Sequence, residues 1–307
     1  MKAAGYKQKD IASAIGRSGS VVSREIKRNA DKRSGEYRHD LAQRKYERRQ
    51  REKRRAVKMD AGMVKYVEGK LSDKLSPEQI GGRAALEGVP CVSHERIYRH
   101  VWEDKKKGGR LYLHLRNKGK RYRKRGALKD KRGAITGRVS IEERPDIVEE
   151  KGRFGDLEID TIVGKDRKGA ILTINDRATG MVKIRKLEGK HADKLAETAN
   201  DALKEWKPYL HTITADNGKE FAAHRMMSRE LDIDFYFAHP YHSWERGANE
   251  NLNGRIRQYI PKKTDFDEVS DQYIQYVEEQ LNNRPRKRFD YLSPLENYNL
   301  KKVAFST

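Results

Sequence analysis

The chain has 307 residues, 37% of them charged and 36% hydrophobic, with 15 Tyr and 7 Phe; this length suggests two or three domains, and the apolar share excludes wholesale disorder. The net charge of +22 is uneven, +24 over residues 1–140 and −2 over residues 141–307. A single cysteine, Cys91, excludes an internal disulfide and a cysteine-based zinc site, no apolar run reaches the length of a membrane span, and the N-terminus lacks a signal-peptide core.

In chain order, residues 1–37 are expected to hold a first helix-turn-helix unit. Gln8 to Ile15 carries Ile11 and Ile15 on one face, and Gly16 ends that helix. Ser18 is placed to cap the next, which buries Val22 and Ile26 and leaves Ser20, Ser23, Arg24 and Lys27 outward, suited to a major groove. Residues 38–70 are expected to form a basic helical linker, whose run over 38–58 (Arg44, Lys45, Arg48, Arg49, Arg51) has little apolar face, hence solvated or lying on phosphates. A second helix-turn-helix unit is expected over 71–115. Ser76-Pro77-Glu78-Gln79 is a capping box, and Ser93 caps a helix with Ile97 and Val101 inward and His94, Arg96 and Arg99 outward. A second basic linker, 116–140, carries Arg121, Arg123, Lys124 and Arg125, which would contact a DNA backbone without reading its sequence. The charge implies a polyanion such as nucleic acid as the partner, the two helix-turn-helix units point to double-stranded DNA, and the missing membrane and secretion signals fit a cytoplasmic setting.

From residue 141 the texture changes. Strands are expected at 158–163, 170–175, 181–187, 211–214 and 234–238, and helices at 192–206, 223–231, 248–259 and 270–283. The order βββαβαβα is that of an RNase H-like domain, an α/β fold with a mixed five-stranded sheet flanked by helices, here preceded by an all-α DNA-binding region. Phosphoryl transfer needs divalent metals held by carboxylates. Asp160 lies on the first strand, Asp216 where the fourth ends, and Glu250 at the start of a helix. In this topology the first and fourth strands are neighbours, so the two aspartates would converge and the helix would close the third side. Asn217 and Asn249 stand beside two of these acids, suited to orienting metal-bound water or to turn and cap duty.

Several segments make the resemblance specific: Phe154-Gly155-Asp156-Leu157-Glu158-Ile159-Asp160-Thr161-Ile162, Thr212-Ile213-Thr214-Ala215-Asp216-Asn217-Gly218-Lys219-Glu220-Phe221, Pro240-Tyr241, Trp244-Glu245-Arg246-Gly247-Ala248-Asn249-Glu250-Asn251-Leu252-Asn253-Gly254 and Asn282-Asn283-Arg284-Pro285-Arg286-Lys287. The chain resembles DDE transposases of the insertion-sequence-30 type over nearly its whole length. Asp216 and Glu250 are separated by 33 residues, the gap that type uses, and Arg257 stands at the family's basic position seven residues after Glu250. The resemblance implies that Asp160, Asp216 and Glu250 hold two Mg²⁺ ions, with Mn²⁺ able to substitute. It also implies that the front units bind the inverted-repeat ends of a mobile element, that Arg257 holds phosphate, and that the protein works as a homo-oligomer on DNA. A catalytically silent DNA-binding repressor is the alternative. Two departures stand out. Leu157 takes a place where the family often has Trp, and the chain starts almost inside the first helix-turn-helix unit, so that unit is expected to be shortened.

Overall fold

The computed structural model describes residues 1–2, 4–52, 58–118, 135–187, 189, 191–240 and 242–305. Arg121, Arg123, Lys124 and Arg125 lie outside the described residues. The chain divides into two compact units, Met1–Val57 and Lys58–Thr307.

The first unit holds helices α1 (Gln8–Ala14), α2 (Gly19–Asn29) and α3 (His39–Glu52). Ile11, Ala12 and Val22 form its small core, with Ile26 packed against it. Ile15 differs from the expectation: α1 ends at Ala14, Ile15 leaves helical geometry as the C-cap and is 53% exposed, and Ala12 takes the inward place. Gly16 follows with φ +62, the left-handed conformation expected of a glycine that ends a helix. Ser18 stands at the N-cap of α2, but its hydroxyl pairs with Ser20 Oγ at 3.0 Å instead of a backbone amide. Ser20, Ser23, Arg24 and Lys27 are exposed. Part of the basic run on α3 has an internal use. Lys45 Nζ donates to Ala30 O at 2.6 Å and Arg49 Nη2 to Asn29 Oδ1 at 2.8 Å, placing two cations on the carbonyl end of α2, where the helix dipole favours them.

The second unit begins with α4 (Ala61–Ser72), α5 (Pro77–Leu86) and α6 (His94–Lys106). Here the expected boundaries shift. α4 straddles the expected boundary between linker 38–70 and the second unit 71–115, and its Val67 and Leu71, one turn apart, are fully buried with Ile80, Ile97 and Val101. The helical subdomain therefore starts at α4, because that apolar pair needs a partner surface. The capping box forms as expected, and Ser93 Oγ accepts from Arg96 N at 3.3 Å.

The subdomain is docked on C-terminal residues of the same unit. Arg83 on α5 makes a bidentate pair with Glu296, Nη1 to Oε2 at 2.6 Å and Nη2 to Oε1 at 2.8 Å. Gln79 Nε2 donates to Pro285 O at 2.6 Å.

The remainder carries α7 (Ile147–Glu150), β1 (Asp156–Val163), β2 (Ala170–Asp176), β3 (Val182–Leu187), α8 (Ala192–Leu203), β4 (Thr212–Ala215), α9 (His224–Leu231), β5 (Asp234–Phe237), α10 (Gly247–Tyr259), α11 (Asp271–Asn282) and α12 (Pro294–Phe305). The sheet order is β3-β2-β1-β4-β5. β1, β2 and β3 form an antiparallel meander, and β4 and β5 extend it in parallel from β1. This is the mixed RNase H-like sheet expected. α8 and α9 cover one face through Leu195, Ala199, Leu203 and Met227, packed on Leu157, Ile159, Leu172 and Ile213. α10 and α11 cover the other through Leu252, Ile256, Ile274 and Val277, packed on Ile162, Ile171 and Ile184. β1 thus turns Leu157 and Ile159 toward α8. By the two-residue alternation of a strand, it turns Glu158, Asp160 and Ile162 toward α10.

Gly155, just before β1, has φ +102, and a Cβ there would lie 1.8 Å from Tyr209 O. Only glycine lets the chain enter β1 so close to the backbone leading into β4.

Candidate active site

The parallel register pairs Asp156 with Thr212, Leu157 with Ile213 and Glu158 with Thr214. Continued by two residues, the same offset sets Asp160 opposite Asp216, just past the end of the ladder. The two acids meet through one guanidinium: Arg246 Nη2 lies 3.3 Å from Asp216 Oδ2, and Arg246 Nη1 lies 3.7 Å from Asp160 Oδ1. Arg246 Nη1 also donates to Ile159 O at 3.3 Å. Burial pushes the Asp160 carboxyl above its ordinary value, and the neighbouring Asp216 adds to this. Arg246, the Thr161 amide and the Asn253 amide act in the other direction.

α10 closes the third side. At 100° per residue, Arg246, Glu250, Asn253 and Arg257 fall within one narrow strip of this helix and its N-cap. Asn253 Nδ2 donates to Asp160 Oδ2 at 2.8 Å. Glu250 stands one turn before Asn253, on the solvent side of the strip, and is exposed. The structure thus brings Asp160 and Asp216 together, while among the described residues no three His, Cys, Asp or Glu side chains gather tightly enough to hold a metal ion jointly.

Glu158, also on the α10 face of β1, is 2% exposed and committed elsewhere. It pairs with Arg177 Nη1 at 2.9 Å and accepts from Asn249 N at 3.2 Å. Arg177 and Arg144 both reach Glu149 on α7. Asp176 at the end of β2 accepts from Gly155 N at 2.9 Å and from Thr179 N and Oγ1 at 2.6 Å, which shapes the β2–β3 turn.

The supporting residues divide in use. Asn217 donates to Ala238 O at 2.6 Å and accepts from Arg138 Nη1 at 2.5 Å, so its amide holds the β4 turn. Asn249 is 1% exposed, and neither polar atom of its side-chain amide has a partner among the described residues; the same holds for Asn253 Oδ1. Buried amide atoms left this way are suited to water or hydrated-cation ligands, and Asn253 stands directly against Asp160. Arg257 spends both terminal nitrogens on its own chain, Nη1 on Pro261 O and Nη2 on Val163 O, each at 3.0 Å. It fastens the end of α10 to the end of β1. Sequence reasoning did not single out Arg246, Asn253 or Glu220, whose Oε1 accepts from Thr161 Oγ1 at 3.0 Å. For Arg246 and Asn253 the signal was present in their spacing from Glu250.

Of the DNA-facing expectations on α6, Arg99 is exposed, Arg96 is half-buried with Glu103 3.6 Å away, and His94 lies 3.9 Å from Glu95. No helix among the described residues is long and apolar enough to cross a membrane.

A five-stranded mixed sheet that sets two aspartates side by side under a helix defines an RNase H-like site. Among known proteins, the chain is 58% identical over 304 residues to the transposase for insertion sequence element IS4351 of Bacteroides fragilis, covering 98% of this chain and 93% of that protein. It is 32% identical over 297 residues to the InsI transposase for element IS30C of Escherichia coli K12, covering 93% of this chain and 77% of that one. The catalytic core domain of BIV integrase aligns with 50% of this chain and 98% of its own length at 16% identity, with a TM-score of 0.40. No family model matches. The chain belongs to the insertion-sequence transposases of the IS30 type.

Proposed function

We propose that this chain is the DNA transposase of an insertion sequence, binding the element's terminal inverted repeats and carrying out Mg²⁺-dependent strand cleavage and strand transfer with Asp160, Asp216 and Glu250. The observation that carries the reading is the pairing of Asp160 with Asp216 beneath the helix that bears Glu250. Its support is the family membership together with a donor set of hard oxygens, which suits Mg²⁺ or Mn²⁺. The unpartnered Asn253 Oδ1 and the unpartnered side-chain amide of Asn249 fit the same group. Asp160, Asp216 and Glu250 would hold the two ions, and these supply Lewis-acid activation of the attacking and leaving oxygens.

The chain's own residues do the rest. Asn253 holds the Asp160 carboxylate toward α10. Arg246 balances the two aspartates until other cations take over. Arg257 and the packing of Leu252 and Ile256 keep α10 fixed against β1, so Glu250 is presented at constant depth. Asn249 orients water. The exposed Ser20, Ser23, Arg24 and Lys27 of α2, with Arg99 of α6, supply contacts to double-stranded DNA, and the chain acts as a homo-oligomer on two element ends.

The test is a cleavage and joining assay with labelled element ends and Mg²⁺. Wild type cuts and joins; Asp216→Asn binds the ends but does neither. Cutting retained by Asp216→Asn would remove Asp216 from the site.

A further inference from the structure

Around α10 from the carboxylates, five arginines converge. Arg255 lies 140° from Glu250 on the helical wheel. Arg284 and Arg286, from the segment after α11, are 6% and 4% exposed. Arg116, at the start of the basic linker, reaches Asn251 Oδ1 at 2.7 Å, while Arg288 lies over the Phe289 ring at 4.4 Å. Arg116 and Arg288 are exposed and Arg255 is half-buried. The group therefore has a floor, a wall and an open rim.

None of the five hydrogen-bonds to a carboxylate among the described residues; Arg288 alone has acids in electrostatic range, Asp176 and Glu158. Arg284 is held by neutral acceptors: Gln258 Oε1 at 2.6 Å, Gln79 Oε1 at 3.2 Å and the Lys74 carbonyl. Arg286 Nη2 donates to Leu281 O at 2.8 Å, while its Nη1 is buried with no partner, as is Tyr259 Oη beside it. Burial together with Arg284, Arg116 and Arg288 pushes the Arg255 guanidinium down to about 9. Burial, with Arg255, Arg284 and Arg288 nearby, pushes Arg286 well below its ordinary value.

Burying Arg284 and Arg286 with only amide and carbonyl acceptors is unfavourable: dipoles satisfy hydrogen bonds without cancelling charge. A site that pays this cost and stays open at its rim is matched by an anion. The guanidinium fork matches phosphate oxygens in particular. Its position around the helix from Asp160 and Asp216 separates it from the reacting phosphate.

We propose that Arg116, Arg255, Arg284, Arg286 and Arg288 form a phosphate-binding site, remote from the carboxylates, that takes one phosphodiester of bound DNA. The DNA source rests on the transposase reading; the phosphate chemistry does not. Because Arg284 also ties the site to Lys74 and Gln79, a phosphate bound there sits at the junction of the α4–α6 subdomain and the catalytic sheet.

The test uses the full chain in two arms. In the first, affinity for element-end DNA is measured by fluorescence anisotropy across a KCl series for wild type, Arg255→Gln and Arg288→Gln. Each substitution is expected to weaken binding several-fold and to lower the slope of log affinity against log salt by about 1, the signature of one lost phosphate contact. In the second, inorganic phosphate is titrated against thermal stability; it raises the wild-type melting temperature and raises that of Arg255→Gln less. Stabilisation by phosphate with an unchanged DNA slope would assign the site to free phosphate. Folded variants with the wild-type slope and the wild-type response to phosphate would overturn the site. Failure of wild type to bind any element-end DNA would count against the proposed function instead, and the phosphate arm would still read the site.

Discussion

The Asn253 amide donates to Asp160 Oδ2 at 2.8 Å and so ties α10, the helix of Glu250, to the strand of Asp160. Side chains that orient a metal ligand commonly change affinity by about 10–100-fold when removed. Asn253→Ala is expected to weaken Mn²⁺ binding in that range, read by calorimetric titration, while far-ultraviolet dichroism stays unchanged. Equal affinity in the two proteins would confine Asn253 to packing.

Arg246 places one cation between Asp160 and Asp216. Without added metal, Arg246→Gln leaves the two carboxylates to repel each other, a loss of roughly 1–2 kcal/mol for a partly exposed group. With metal, a competitor has gone. The variant should therefore melt lower than wild type in EDTA and gain more from added Mn²⁺. A smaller gain would mean that Arg246 helps to hold the bound site.

Glu158 and Arg177 form an ion pair in which both side chains are almost fully buried, 2% and 3% exposed. Removing one member strands the other, at a typical cost of about 3–5 kcal/mol. Arg177→Met should lose that much stability in urea denaturation. A loss below about 1 kcal/mol would show that the pair is not desolvated in solution.

Glu296 sits at about 2, held down chiefly by Arg83 and also by Ser293, against an ordinary value of 4.5. A carboxyl lowered on folding stabilises the folded state above its unfolded value, and that contribution fades as pH falls through the folded one. Glu296 is 40% exposed, so solvent screening limits the contribution to about 1 kcal/mol. Wild type should melt above Glu296→Gln at pH 6, and the gap should narrow between pH 4.5 and 2. A constant gap would assign the effect to shape instead of charge.

Much of this architecture was legible in the residues. Runs such as Ile171, Leu172 and Ile174 mark strands, and the 3.6-residue spacing of Leu195, Ala199 and Ala202 marks α8. Adjacency of β1 and β4 followed from topology and brought Asp160 to Asp216. What escaped depends on partners distant in sequence. The period of α1 puts Ile15 beside Ile11, but the helix stops first. Val67 and Leu71 form a pair whose use shows only once Ile80 and Ile97 supply the surface. Arg246 reads as one more cation beside a helix start, and only the meeting of two strands gives it its acids. The arginine site draws on residues 116, 255 and 284–288, which no local pattern connects.

The bidentate grip of Arg83 on Glu296 joins residues 213 positions apart. The core of α4–α6 closes with residues up to Leu115, so this subdomain has its packing partners early in synthesis. Its bearing on the sheet waits for residues 284–296, made long after that core. A chain stopped short of them retains the α4–α6 core without the contacts that aim α6. The setting of α6 against the sheet is thus fixed by residues far downstream of the subdomain's own core.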